Sequence, residues 1–229
     1  MAHALILAAG RGERMRPLTD TVPKPLLKVG GKALIEWQLE RLAAGGFRDV
    51  VVNHSHLGAM IEEALADGSR YGVRIAYSHE PVALETAGGI VQALHLLGDE
   101  PFAVVSADIY TEFDYGRLQA PLRDIAADTN RHIAHFVLVD NPPFHAQGDD
   151  MGVAGGRVTR AAPRLTYANL AVFHPAPFRD VAAGTRLKLF PWAYRFVDEG
   201  RVSGEHFTGV WDNIGTPQQL AGLDRRLSQ

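Results

Sequence analysis

The chain of 229 residues contains no cysteine, so disulfide bonds and thiolate metal sites are excluded. It also lacks an excess of positive charge. Its 23 Lys and Arg stand against 26 Asp and Glu, and the net charge of −3 argues against a general nucleic-acid-binding protein. No apolar run approaches the roughly 20 residues that cross a bilayer. We therefore expect a cytoplasmic monomer with a hydrophobic core and with neither nucleic-acid nor membrane partners.

The first 110 residues alternate short apolar runs with apolar residues at helical spacing. These patterns predict strands at 4–8, 48–53, 73–77 and 102–106, and helices at 33–45, 57–68 and 90–97. Wholly apolar strands that alternate with helices are typical of a parallel sheet covered on both faces. Ligands of such sheets bind at the carboxyl ends of the strands, so we expect the functional site there.

A β-rich part follows and extends from about residue 128 to 210. Its patterns predict a strand in 135–142, a hairpin in 150–172, a strand from Leu165 to Phe173 and a helix through 189–197. The last helix has a clear beginning, with Thr216 as N-cap and Pro217 at the first helical position. No linker separates these parts, so we predict a single domain over 1–229.

The most informative segment is LAAGRGERMRPLTDTVPKPLLK, residues 7–28. A buried strand leads into Gly10 and Gly12, where small residues let backbone amides approach anionic oxygens. Lys24 lies between two prolines that fix their own backbone angles, so it projects from a stiff segment. A glycine loop opposite a fixed cation suits a polyphosphate ligand. A dinucleotide-dependent oxidoreductase fits poorly, because the third glycine of its fingerprint is missing and the second strand ends in Asn53 instead of an acidic residue.

Residues Leu7 to Leu26 meet every fixed position of the signature L-x-A-G-x-G-x-R-x-x-P-L-T-x-x-x-P-K-P-L. The chain thereby resembles the sugar-1-phosphate nucleotidyltransferases. Further matches are G-K-A-L-I (31–35), E-T-A-G-G-I (85–90), V-S-A-D (105–108) and W-D-N-I-G-T-P (211–217). The resemblance implies an α/β fold: a Rossmann-like, GT-A-like domain with a mostly parallel central sheet. It also implies that residues of about 1–115 bind the nucleotide, and that residues of about 128–210 are a sugar-binding elaboration of the same domain.

The family reaction joins a nucleoside triphosphate to a sugar 1-phosphate with release of pyrophosphate, with Mg²⁺ as cofactor. The chain is also similar to short members of the family that use UTP and N-acetylmuramic acid 1-phosphate in peptidoglycan recycling. This similarity rests on N-H-x-x-L-G (53–58), D-G-S-R-Y-G (67–72), L-V-D-N-P (138–142) and V-S-G-E-H (202–206). A transferase for hexose or mannose 1-phosphate that uses dTTP, CTP or GTP remains an alternative, as does an inactive nucleotide-binding regulatory module.

The resemblance also implies site residues. Arg14 is assigned to the leaving phosphates, Lys24 to the α-phosphate and the sugar phosphate, and Asp108 to Mg²⁺. The implied nucleotide-binding residues are Ala9, Gly10, Arg11, Gly12, Glu85, Gly88 and Ser106. The implied sugar-binding residues are Asp140, Tyr167, Asn169, Lys188 and Glu205.

Three positions depart from the family pattern. Relatives often carry an aspartate as a second metal ligand where this chain has Asn213, with Asp212 one place earlier. Side chains alternate faces along a strand, so only one of the two can face the metal unless a bulge intervenes. We expect Asn213 to occupy that position, with Asp212 as the alternative. Asn169 replaces a residue that is usually glycine, and Ser106 replaces one that is often asparagine.

Overall fold

A computed structural model describes residues 3–228. The strands are β1 (His3–Leu7), β2 (Lys28–Val29), β3 (Lys32–Ala33), β4 (Asp49–His54), β5 (Arg74–His79), β6 (Phe102–Ser106), β7 (Ile109–Thr111), β8 (Ala134–Val139), β9 (Gly152–Ala154), β10 (Arg157–Thr159), β11 (Thr166–Phe173), β12 (Val202–Phe207) and β13 (Trp211–Asn213). The helices are α1 (Leu34–Ala44), α2 (Gly58–Leu65), α3 (Glu85–Leu97), α4 (Gln119–Ala127), α5 (Ala176–Arg179), α6 (Tyr194–Asp198) and α7 (Pro217–Leu227).

The central element is a nine-stranded sheet in the order β5-β4-β1-β6-β11-β8-β12-β10-β9. Strands β5, β4, β1 and β6 are parallel, and Leu5 lies between Val51 and Val104 in register. Successive residues of a strand point to opposite faces, so Leu5 packs in one core layer and Ile6 in the other. The predicted parallel sheet with helices on both faces is confirmed, and its strands end together at one edge.

Strand β11 runs antiparallel to both of its neighbours, β6 and β8. Its first residue, Thr166, pairs with Val139 at the end of β8, so β11 begins at the edge where the parallel strands end. A β-bulge falls between Tyr167 and Ala171, and Asn169 within it has a φ of +57°. The β-rich part therefore extends the same sheet and brings the first residues of β11 to the edge where the site is expected.

The region from 189 to 197 differs from its prediction. The spacing of Leu189, Trp192 and Phe196 predicts one helix, whereas only Tyr194–Asp198 is helical. Pro191 accounts for the shorter helix, because proline disfavours the helical conformation of the residue before it. The final helix begins as expected, with Thr216 Oγ1 accepting from the Gln219 amide at 3.3 Å. Within residues 3–228, no helix combines the length and apolar character that a membrane crossing requires.

Candidate active site

A cavity of about 340 Å³ opens at the carboxyl ends of β1, β4 and β6. Parallel strands leave their last residues and following loops at one edge, so polar groups from distant parts of the chain meet there. The predicted site residues that line this cavity are Ala9, Gly10, Arg11, Lys24, Glu85, Ser106 and Asp108. The edge of the sheet thus assembles most of the predicted nucleotide-binding residues in one place.

The loop after β1 is held by its own hydrogen bonds. Gly12 has a φ of +69°, and a Cβ there would lie 3.0 Å from Thr19 and 3.2 Å from Lys24, so only glycine fits without strain. Thr19 Oγ1 donates to the Gly12 carbonyl at 2.9 Å, and Arg11 Nη1 donates to the Thr19 carbonyl at 2.6 Å. The fully buried Met15 anchors the loop in the core. These contacts give the cationic loop a fixed shape.

An ion pair lies among the residues that line this cavity. Lys24 Nζ is 2.5 Å from Asp108 Oδ2, with exposed fractions of 10% and 33% for the two side chains. Lys24 comes from the loop after β1 and Asp108 follows β6, the neighbouring strand in the sheet. A nearly buried ammonium group is stable only beside a counter-charge, which Asp108 supplies. Lys24 is therefore a fixed positive charge at the floor of the site.

Asn53 and Glu80 form a buried hydrogen-bond network in the lining of the same cavity. Asn53 Oδ1 accepts from the Ala8 amide at 2.6 Å, and its Nδ2 donates to Glu80 Oε1 at 2.6 Å. Glu80 Oε2 accepts from the Leu84 amide at 2.8 Å, and burial raises the pKa of the Glu80 carboxyl. Both side chains line the cavity. Neither residue is among the site residues that the sequence predicts, although each lies at or just beyond the carboxyl end of a predicted strand.

The beginning of α3 also contributes to the lining of this cavity. Glu85 accepts from Arg186 Nη2 at 2.8 Å, and both residues line the cavity. Gly88 does not line it. A Cβ at Gly88 would lie 2.3 Å from the Thr185 carbonyl oxygen, so its small size is needed for packing against the segment before Leu187. The structure therefore gives Gly88 a packing role and brings Glu85 to the cavity.

A second cavity, of about 390 Å³, lies beside the first residues of β11. It is lined by Tyr167 and Asn169, and also by Arg14, which the sequence analysis assigns to the leaving phosphates. The φ of +57° at Asn169 is a conformation that favours glycine, and asparagine is among the few other residues that tolerate it. Burial, with the charge of Asp149, raises the pKa of the Tyr167 hydroxyl.

Strand β13 connects the two cavities. The Ile214 amide donates to the Asp108 carbonyl at 2.8 Å, which places Asn213 next to Asp108 along this edge. Asn213 lines the second cavity, whereas the Asp212 carboxylate is bound by Arg226 of α7. The Asn213 Oδ1 atom is buried and accepts no hydrogen bond within residues 3–228. The two neighbouring side chains thus have different surroundings, as the alternation of a strand predicts.

The remaining predicted sugar-binding residues do not line either cavity. Asp140 is exposed, accepts from His206 Nε2 at 2.9 Å and borders a separate surface hollow. Lys188 is exposed on the segment before Leu189. Glu205, on β12, forms an ion pair with Arg117. Within the described chain, therefore, Tyr167 and Asn169 are the predicted sugar-binding residues that the structure brings together.

Comparison with known proteins agrees with this architecture. Residues 3–147 match the family described as Nucleotidyl transferase. The chain is 48% identical to the N-acetylmuramate alpha-1-phosphate uridylyltransferase of Neisseria meningitidis serogroup B, over 95% of this chain and 94% of that protein. The protein of that name from Caulobacter vibrioides is 36% identical, over 99% and 97%. The solved structure of HddC from Yersinia pseudotuberculosis shares the fold, with a TM-score of 0.79 at 17% identity over 99% of each chain. The chain therefore belongs to the nucleotidyl transferase family, among the sugar-1-phosphate nucleotidyltransferases.

Proposed function

We propose that this protein transfers the uridylyl group of UTP to N-acetylmuramic acid 1-phosphate and releases pyrophosphate, in the cytoplasm and as a step of peptidoglycan recycling. The observation that carries the proposal is the Lys24–Asp108 ion pair, which lines the first of the two cavities at one edge of the sheet. The choice of UTP and of this sugar is supported by the two relatives that match nearly the whole chain.

The separate linings of the two cavities also support separate binding sites for the two substrates. The first is lined by residues before 109, with Arg186 added, and the second by residues 144–213, with Arg14 added. We assign the nucleotide to the first cavity, within the part at about 1–115, and the sugar to the second, within the part at about 128–210. Both parts share one sheet, so we treat the chain as a single domain.

The reaction brings two anions together. A phosphate oxygen of the sugar attacks the α-phosphorus of UTP, the bond between the α-phosphorus and the bridging oxygen breaks, and pyrophosphate leaves. Such transfer depends on positioning and charge neutralisation. Lys24 neutralises the reacting phosphates and amides of the Gly10–Gly12 loop hold the nucleotide. We assign Arg14, which lines the second cavity, to the leaving phosphates.

The residues present fit a Mg²⁺ ion. Asp108 offers a carboxylate beside Asn213, whose buried Oδ1 atom has no hydrogen-bond donor in the described chain. Mg²⁺ takes oxygen ligands, commonly one or two carboxylates together with substrate phosphates and water. We propose that Asp108 and Asn213 hold the ion with the help of the substrates. When bound, it neutralises charge on the transferring phosphoryl group.

Asn213→Asp should tighten Mg²⁺ binding, because a carboxylate adds a negative charge beside Asp108 where an amide is neutral. We expect the Mg²⁺ concentration at half-maximal activity, and the Mn²⁺ dissociation constant measured by electron paramagnetic resonance, to fall. Asp212→Asn is the matched control, since Asp212 is bound by Arg226, and its metal dependence should stay unchanged. An effect of Asp212→Asn with none of Asn213→Asp would assign the metal to Asp212.

The reaction itself is tested by pyrophosphate release from a panel of substrates. UTP with N-acetylmuramic acid 1-phosphate should give the fastest release, ahead of dTTP, CTP or GTP with glucose or mannose 1-phosphate. Faster turnover of one of those other pairs would reassign the substrates within the family.

A regulatory nucleotide-binding module is the second candidate, and the neutral Asn213 in a metal-ligand position favours it. It would bind UTP without any pyrophosphate release, whether Mg²⁺ or Mn²⁺ is supplied. Calorimetric titration with UTP, run beside the release assay, separates the two candidates.

A further inference from the structure

Hydrogen bonds fix the loop between β8 and β9, residues 140–151, to the beginning of β11 and to the two residues before it. Asn141 Oδ1 accepts from Thr166 Oγ1 at 2.9 Å, and its Nδ2 donates to the Arg164 carbonyl at 3.0 Å. The Asp149 amide donates to the Leu165 carbonyl at 2.9 Å, and Asp149 Oδ2 accepts from the Tyr167 amide at 2.7 Å. The loop therefore presents its side chains to the second cavity from a rigid support.

His145 lies on this loop and lines the second cavity. Its Nε2 is 3.2 Å from Asp149 Oδ1, while the other oxygen of that carboxylate is held by the Tyr167 amide. Asp149 is thus fixed on both sides, and it orients the imidazole through one ring nitrogen. In the imidazolium form the other ring nitrogen also carries a proton, so the ring can donate to an anion while Asp149 keeps its bond.

The rest of the cavity suits a sugar ring. Aromatic faces present apolar surface to the C–H groups of a ligand. Four aromatic side chains line the cavity: Phe144, Tyr167, Phe190 and Trp211. Phe144, which precedes His145 on the loop, is 57% exposed. A large apolar side chain that is exposed to solvent beside a cavity provides apolar surface that a bound ligand would cover.

The cavity is also lined by the paired His145 and Asp149, which the phosphate groups of the substrates do not account for. Arg14 lies beside Gly215, where an added Cβ would be 3.0 Å from its Nη2, and it therefore adjoins Asn213 and the proposed reaction centre. With Lys24 in the first cavity, Arg14 accounts for the phosphates. His145 comes from a separate loop and faces the sugar cavity without an assigned partner on the substrate.

We propose that His145, oriented by Asp149, recognises an anionic substituent on the sugar ring and makes the enzyme selective for sugar 1-phosphates that carry a carboxylate. The inference rests on the proposed function and identifies the residue that selects its acceptor. N-acetylmuramic acid 1-phosphate carries such a group, a lactyl carboxylate. N-acetylglucosamine 1-phosphate has the same ring with a hydroxyl in its place, so the two sugars isolate the contribution of the carboxylate.

The test compares kcat/KM for these two sugars, with UTP as donor, in wild type and His145→Asn. A hydrogen bond to a charged group contributes enough that its loss should reduce the preference for the acidic sugar about tenfold or more. The loss should appear in the KM of that sugar, with the KM of UTP unchanged. Asp149→Asn should reduce the preference in the same direction. His95→Asn is the control, because His95 lies exposed in the last turn of α3, away from both cavities.

An equal change for both sugars, or an unchanged preference in His145→Asn, would overturn the proposal. If the wild type releases pyrophosphate with neither sugar, the proposed function fails, and calorimetric binding of the two sugar phosphates decides the inference instead. Tighter binding of the acidic sugar that is lost in His145→Asn would support it. Equal binding of both sugars by the wild type would refute it.

Discussion

Lys24→Met should lower the rate of pyrophosphate release by about 100-fold or more, the effect of removing one preorganised group that stabilises developing charge. Lys24 is the fixed cation at the floor of the first cavity, with a side chain only 10% exposed. Methionine keeps most of the apolar volume that packs against Gly12 and removes the ammonium group. We therefore expect a folded protein, by circular dichroism and melting temperature, that binds UTP more weakly and turns it over slowly.

Lys32→Met is the matched control for this change. Lys32 Nζ forms an ion pair with Glu40 at 2.7 Å, but it belongs to β3 and lines neither cavity. Its loss should leave turnover within about twofold, since partly exposed ion pairs contribute roughly 0–1 kcal/mol to stability. Near-normal turnover in Lys24→Met would remove Lys24 from the proposed mechanism.

Asp108→Asn should lower turnover by a similar factor, about 100-fold or more, because the proposed metal loses its charged protein ligand. In the absence of a divalent ion, Asp108→Asn should change the affinity for UTP in the direction opposite to that of Lys24→Met. Without a divalent ion, removal of this negative charge leaves Lys24 unneutralised, so UTP should bind at least as tightly as to the wild type. With Mg²⁺ present, the gain in affinity that the ion gives the wild type should be absent. Calorimetry with and without Mg²⁺ measures both effects.

Asp49→Asn serves as the control for the aspartate change. Asp49 forms an ion pair with Arg74 at the first residue of β4, the end of the strand opposite to the site. Turnover and metal dependence should both be unchanged. If UTP binding to Asp108→Asn kept the Mg²⁺ dependence of the wild type, another residue would have to hold the ion.

The features that sequence predicted best depend on local rules. Uninterrupted apolar runs such as Leu5–Ile6 predict parallel strands because burial on both faces leaves no place for polar residues. The glycine loop and the flanking prolines predict Gly12 and Lys24 as neighbours of a polyphosphate, and the structure places the two residues against each other. Short segments of chain contain all the information that these predictions need.

The features that sequence did not predict depend on contacts between distant residues. Strand β12, V-S-G-E-H-F, has no apolar run and was missed, because its place is set by pairing with β8. The Asn53–Glu80 network joins residues 27 positions apart and depends on the register of β4 and β5. The pairing of His145 with Asp149 is similarly invisible, since a loop fixed by β11 creates it. Local spacing carries no signal for such contacts.

The two cavities have no lining residue in common within the described chain. They are nevertheless adjacent, because the backbone carbonyl of Asp108, in the first cavity, accepts a hydrogen bond from the amide of Ile214, which follows Asn213 of the second. A bivalent inhibitor that joins a uridine fragment to an acidic sugar fragment would need only a short tether across this boundary. Once one fragment binds, the other is held at a high effective concentration, so the joined compound should bind far more tightly than either fragment alone.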